Sequence, residues 1–158
     1  MTLTVVSTSE SNTIKIGKII GSFISPGDVI LLSGDLGSGK TKMTQGIIKG
    51  IGSDDFARSP TFVLITEYEA KFPIYHMDLY RLDGVENLER MQIDEYLYGD
   101  GVCIVEWADK ANKSFPNESL TVDFSFLSEN QRKIDMEWPS DRLDKIGGEI
   151  TRSMGLVN

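Results

Sequence analysis

Gly34-Asp35-Leu36-Gly37-Ser38-Gly39-Lys40-Thr41 has the residue types and spacing of a phosphate-gripping loop, G-x-x-x-x-G-K-S/T. Gly34, Gly37 and Gly39 admit positive φ and let the backbone approach a ligand without Cβ clashes. The loop N–H groups then converge on phosphate oxygens at the start of the next helix. In such a loop Lys40 reaches the β- and γ-phosphates and the Thr41 hydroxyl binds Mg²⁺. The flanks have the order the loop requires. Val29-Ile30-Leu31-Leu32 is a short apolar run that reads as a buried strand. Downstream, Met43, Ile47, Ile48 and Ile51 recur at helical spacing, with Gly50 or Gly52 able to end the helix. Strand, glycine loop and helix together predict a nucleoside triphosphate site.

A phosphate loop alone neither completes a Mg²⁺ site nor positions a nucleophile, and loops of this kind are commonly joined by an acidic residue ending an apolar strand. Glu106, after the run Val102 to Val105, has that form and would emerge at the strand's carboxyl end, where ligands sit in open α/β sheets. The alternative is a solvent-exposed Glu that merely ends a strand. In His76-Met77-Asp78-Leu79-Tyr80-Arg81, alternation puts His76, Asp78 and Tyr80 on one face, which either lines a pocket or forms the solvated side of an edge strand. Ser59-Pro60-Thr61 offers hydroxyls that respond to a γ-phosphate, as switch segments do, or serve simple turn chemistry.

The elements that must position these groups read as one α/β domain over residues 1–158. A first strand covers Leu3 to Val6, and Ser7 to Glu10 has the spacing of a helix-capping box. Ile14, Gly17, Ile20 and Ile24 give Thr13 to Ile24 an amphipathic helical pattern, and Ser25-Pro26-Gly27-Asp28 turns the chain into the phosphate-loop strand. Phe62 to Tyr68 and Pro73 to Tyr80 read as an antiparallel hairpin. Glu86 to Tyr98 is helical in pattern and Gly101 to Val105 is an apolar strand. Leu120 to Phe126 and Arg132 to Trp138 alternate as strands around a turn at Ser128 to Gln131. A last helix spans about Asp141 to Met154, although Gly147-Gly148 weakens it by about 1 kcal/mol per glycine. The expected architecture is a P-loop NTPase-type domain with a central, mostly parallel sheet and added antiparallel strands.

Composition narrows the function classes. The formal net charge is −8, and no Lys/Arg cluster appears, which disfavours direct high-affinity nucleic-acid binding. Cys103 is the only cysteine and His76 the only histidine, so an internal disulfide and a multi-histidine metal site are excluded. Cys103, inside an apolar run, reads as a small buried hydrophobe. Apolar runs fall far short of the ~20 residues that span a bilayer. Met1 to Val6 lacks a basic region and a signal-peptide core, so a cytoplasmic location is expected.

The phosphate loop at 34–41, Ser-Pro-Thr-Phe at 59–62, His-Met-Asp-Leu-Tyr-Arg at 76–81 and Glu-Trp at 106–107 occur in order. Together, from about Glu10 to Arg132, the chain resembles the TsaE (YjeE) family of small P-loop ATPases. The resemblance implies a weak Mg²⁺-dependent ATPase that acts with TsaB and TsaD proteins in forming threonylcarbamoyladenosine beside the anticodon of ANN-decoding tRNAs. It supports repeated turnover and leaves the RNA mainly to its partners. By position, Asp35, Leu36, Gly37, Ser38 and Gly39 would cradle the ATP phosphates with Lys40, while Thr41 and Glu106 would hold Mg²⁺. Asp78 would help order the attacking water. Trp107 would support the site or a partner contact, with Ser59, Thr61, His76, Tyr80 and Arg81 in supporting or switch roles. Glu10 and Thr13 resemble positions close to the adenine. Arg132 resembles a late arginine near the nucleotide, although Gln131 stands where a glycine is frequent. Lys42 is expected to face solvent.

Three other readings share the loop. A small-molecule kinase needs an acceptor pocket and commonly an arginine-rich lid, yet the arginines are scattered. A GTPase needs an Asn/Thr-Lys-x-Asp element, and Asn112-Lys113-Ser114-Phe115 lacks the aspartate. A nucleotide-dependent assembly switch without significant catalysis would leave Lys40, Thr41, Asp78 and Glu106 without a hydrolytic task.

Overall fold

Strand alternation sorts the apolar residues onto two faces, and a single sheet collects them. The computed structural model describes residues 1–58, 60, 64–81, 92–111 and 115–155. Its strands are β1 (Thr2–Ser7), β2 (Val29–Gly34), β3 (Ile65–Tyr68), β4 (Ile74–Asp78), β5 (Val102–Glu106), β6 (Leu120–Phe126) and β7 (Arg132–Glu137). They form one sheet in the order β1-β7-β6-β2-β5-β4-β3. The centre is parallel, β6, β2, β5 and β4, whereas β1–β7, β6–β7 and β3–β4 pair antiparallel. This is the mixed α/β sheet expected from the sequence, including the hairpin of β3 and β4.

Ile30, Leu32, Ile74, Val102 and Ile104 face α1 (Glu10–Ser22), α2 (Lys40–Ile51) and α4 (Arg142–Ser153) in the larger core. Val29, Leu31, Met77, Cys103 and Val105 point the other way, with Ile93 and Leu97 of α3 (Ile93–Leu97). The same alternation aims His76, Asp78 and Glu106 at the α2 face, because they continue the series Ile74 and Val102–Ile104. Asp78 stands opposite Glu106 in the β4–β5 register.

Helices α1 and α2 approach backbone to backbone. A Cβ added to Gly17 would lie 2.4 Å from the Met43 carbonyl oxygen, and one on Gly46 would lie 2.1 Å from that of Ile14. No larger residue fits either place, and the contact seats the phosphate-loop helix firmly on the fold. Gly50 belongs to this interface, so the end of α2 falls to Gly52, at φ 107.

Some boundaries differ from the sequence expectation. Helix α1 starts at Glu10, three residues early, because Ser9 is the cap and accepts a hydrogen bond from the Asn12 N–H. Ser7 therefore makes no capping box; its hydroxyl bonds that of Thr13 at 2.7 Å. The helix stops at Ser22, and its buried stripe is Thr13, Ile16, Gly17, Ile20 and Gly21, with Ile14 only half-buried. Strand β3 begins at Ile65 because Leu64 takes a left-handed φ of 67. Strand β4 ends at Asp78, leaving Tyr80 in the following turn. In α4 the glycine pair stays helical, since Leu143, Ile146 and Ile150 bury one side and Gly147 lies against Leu3. Residues 59, 61–63, 86–91 and 112–114, which enter several of these expectations, lie outside the described residues. No described helix is long and apolar enough to cross a membrane.

Candidate functional site

The phosphate loop joins β2 to α2 through backbone that only glycine takes readily. Gly34 sits at φ 143, and a Cβ there would come within 2.9 Å of the Phe124 carbonyl oxygen. Gly39, at φ 114, turns the chain into α2. The first N–H groups of α2 have no intrahelical acceptor, which with the helix dipole makes this end attractive to anions.

Lys40 is 5% exposed and folds back on the loop. Its ammonium donates to the carbonyls of Gly34 at 2.6 Å and Asp35 at 2.9 Å, and lies 3.4 Å from Ser38 Oγ. Trp107 covers it from the other side, with Nζ 3.8 Å from the ring centre. Trp107 is held in a left-handed conformation, φ 59, directly after Glu106, a strained setting for a bulky residue. Burial pulls the Lys40 pKa below its ordinary value, and the carboxylates of Glu106, Asp109, Asp78 and Asp35 oppose that shift. Tyr80 packs on Trp107 with ring centres 4.8 Å apart, and the Lys110 ammonium lies 4.2 Å from the Tyr80 ring centre.

Glu106 is buried beneath Thr41. Its Oε2 accepts from the Thr41 hydroxyl at 3.1 Å; Oε1 accepts from Thr44 Oγ1 at 3.2 Å and His76 Nε2 at 2.8 Å. Asp78 is 3% exposed. Its Oδ1 accepts from the Tyr80 N–H at 2.9 Å, and its own N–H donates to the Leu64 carbonyl at 3.1 Å.

Lys40, Thr41, Asp78, Tyr80 and Trp107 line a cavity of about 530 Å³, with Glu106 behind Thr41. Its outer wall carries Glu10, which pairs with Lys42 at 3.4 Å, together with Thr13, Glu129, Asn130 and Arg132. The Arg132 guanidinium donates to the carbonyls of Ser128, Glu129 and Gln131, reaches Gly37 O at 3.5 Å, and covers the Phe126 ring at 4.2 Å. Gln131 meets Arg132 through its carbonyl.

A buried lysine under a glycine loop, with a threonine and a carboxylate beside it, suits a nucleotide's phosphates. Comparison with known proteins gives the lineage. Residues 7–134 match the model of the family described as threonylcarbamoyl adenosine biosynthesis protein TsaE. The chain belongs to the TsaE family. The tRNA threonylcarbamoyladenosine biosynthesis protein TsaE of Bacillus subtilis is 38% identical over 144 residues, covering 90% of each chain. The protein of the same description from Treponema pallidum is 34% identical, over 82% of this chain and 96% of the relative. The crystal structure of Bacillus subtilis YdiB superimposes with a TM-score of 0.76 at 34% identity, covering 97% of this chain and 96% of that one. TsaE family membership places the chain in tRNA threonylcarbamoyladenosine biosynthesis.

The TsaE match spans every candidate site residue. Glu10, Thr13, Leu36, Gly37, Ser38, Gly39, Lys40, Thr41, Asp78, Tyr80, Trp107 and Arg132 all line one cavity. Glu106 and His76 lie behind its wall, and Glu106 is not an exposed strand terminator. Asp35 is exposed and offers its carbonyl to Lys40. Arg81 is exposed and is not among the residues that line the cavity. Ser59 and Thr61 lie outside the described residues. Lys42 is partly exposed, as expected, and it also lines the cavity and pairs with Glu10. Thr44, Tyr68 and Lys110 were not singled out in the sequence. Thr44 had a signal, one helical turn beyond Thr41; Lys110 had none, because its place depends on the turn after Trp107.

Proposed function

We propose that this protein is a small Mg²⁺-dependent ATPase that supports TsaB- and TsaD-like partners in making threonylcarbamoyladenosine in tRNA. The observation that carries the reading is the meeting of Lys40, Thr41 and Asp78 on one cavity, with Glu106 hydrogen-bonded to Thr41 directly behind its wall. Thr41 and Glu106 supply the hard oxygen donors that Mg²⁺ prefers. When bound there, Mg²⁺ would neutralise charge on the phosphate oxygens.

The protein's own groups do the rest. Lys40 exchanges its loop carbonyls for phosphate oxygens, and the amides at the start of α2 hold the same anion. The Asp78 carboxylate, fixed by the Tyr80 N–H, accepts a hydrogen bond from the attacking water and orients its lone pair. The water oxygen bonds to the γ-phosphorus as the bond to the β–γ bridging oxygen breaks; the bridging oxygen leaves with ADP, and the water's protons leave on the released phosphate or pass to solvent. Positioning and electrostatics supply most of the catalysis in such transfers. The charge of −8 leaves the tRNA to partners.

Reconstitution of tRNA modification from TsaB- and TsaD-like proteins, with and without this chain, tests the proposal. Added protein with ATP should sustain repeated turnover, and Glu106→Ala should raise the Mg²⁺ requirement about tenfold. Modification that continues equally well without the protein would remove the assigned role. Unchanged metal dependence would remove Glu106 from the metal site.

A further inference from the structure

Glu106 is held unequally at its two oxygens. Oε2 meets the Thr41 hydroxyl, whereas Oε1 meets both Thr44 and His76. Thr44 has one proton and also lies 3.0 Å from the Lys40 carbonyl, so it cannot serve Oε1 all the time. His76 Nε2, at 2.8 Å from a carboxylate that only accepts, supplies the steadier donor. His76 is itself fully buried, 0% exposed, on the strand beside Glu106. Its other nitrogen lies 3.4 Å from the Tyr68 hydroxyl, whose one proton is shared with the Arg58 carbonyl, also at 3.4 Å. Burial raises the Tyr68 pKa, which keeps this hydroxyl a donor. A chain of polar contacts thus runs from the Thr41 end of the site to the backbone just before residue 59.

We propose that His76 is a positioning residue: it pins Glu106 Oε1 so that Oε2 alone is presented beside Thr41, and Tyr68 braces His76. Loss of the histidine would leave a buried carboxylate free to turn, at the oxygen meant for the metal. Outer partners of metal-binding groups commonly act this way. The inference rests on the proposed magnesium role of Thr41 and Glu106.

A pair of amides separates this role from simple core filling. His76→Gln is long enough to place an N–H near the lost Nε2, whereas His76→Asn is too short to reach Glu106. Calorimetry with a non-hydrolysable ATP analogue, in Mg²⁺ and in EDTA, gives the affinity gained from the metal. His76→Asn should cut that gain about tenfold with EDTA affinity unchanged, and His76→Gln should recover most of it. Tyr68→Phe, which loses one hydroxyl, should show the same loss to a smaller degree and remains decisive if His76→Asn fails to fold. Equal metal gain in wild type and all variants, or equal weakening with and without Mg²⁺, would overturn the positioning role while leaving the magnesium reading intact. A wild type that binds equally well in EDTA would overturn both.

Discussion

The two ends of the cavity are built on different principles. At the inner end Lys40, Asp78 and Glu106 are each no more than 5% exposed, and parallel strands and the start of α2 set their places. At the outer wall, the Glu10 and Lys42 side chains are 78% and 37% exposed and touch in one ion pair. Arg132 hangs from carbonyls of the β6–β7 turn, and Leu36 stands 75% exposed. Preorganised charge in a dry setting acts strongly on a ligand, whereas exposed pairs are weak and adjustable. The proposed function therefore assigns phosphate chemistry to the inner end and the tuning of affinity to the outer wall.

The largest effect that tests this contrast is Lys40→Ala. It should lower ATP affinity by on the order of 100-fold, the scale of lost charged hydrogen bonds. Calorimetric binding within about threefold of wild type would show that the inner end does not hold the phosphates. Asp78→Ala should reduce phosphate release under saturating ATP, with partners present, by about 100-fold, while affinity moves little. A wild-type rate from that variant would end the catalytic assignment.

Arg132→Ala, at the outer wall, should weaken ATP binding only about fivefold and leave saturated turnover unchanged, because its site is partly exposed. If its loss matched that of Lys40→Ala in the same titration, the division between the ends would collapse. The smallest effect is a pH slope. Because the folded-state pKa of Lys40 is lowered by burial, the unfolded chain binds the extra proton between that value and about 10.5. Stability from Lys40 therefore rises with pH across this window. Denaturant melts at stepped pH should show wild type gaining on Lys40→Met as alkalinity increases, with Tyr68 common to both and cancelling. A constant or opposite difference would show that burial does not govern this lysine.

The same contrast runs through what could be read without coordinates. Gly34 to Thr41 was legible because local backbone demands are written in local residues: glycines where φ is positive, then a helix. Alternation was equally direct, and it placed His76 and Asp78 on one side of β4. It could not say whether that side was wet or dry; the covering helix α2 decides, and His76 is fully buried against Glu106. Capping is ambiguous in the sequence because Ser7 and Ser9 both stand near the helix start, and only the β1–α1 path chooses Ser9.

The sequence by itself determined that a strand, a glycine loop and a helix would follow one another in the order of a phosphate-binding motif, and its motif blocks pointed to the TsaE family. Tertiary structure decided which distant residues stand beside that loop. Gly17 and Gly46 let two helix backbones meet, the parallel register set Asp78 beside Glu106, and a left-handed Trp107 covered Lys40. Such choices depend on contacts between residues far apart in the chain, where local propensity carries no information.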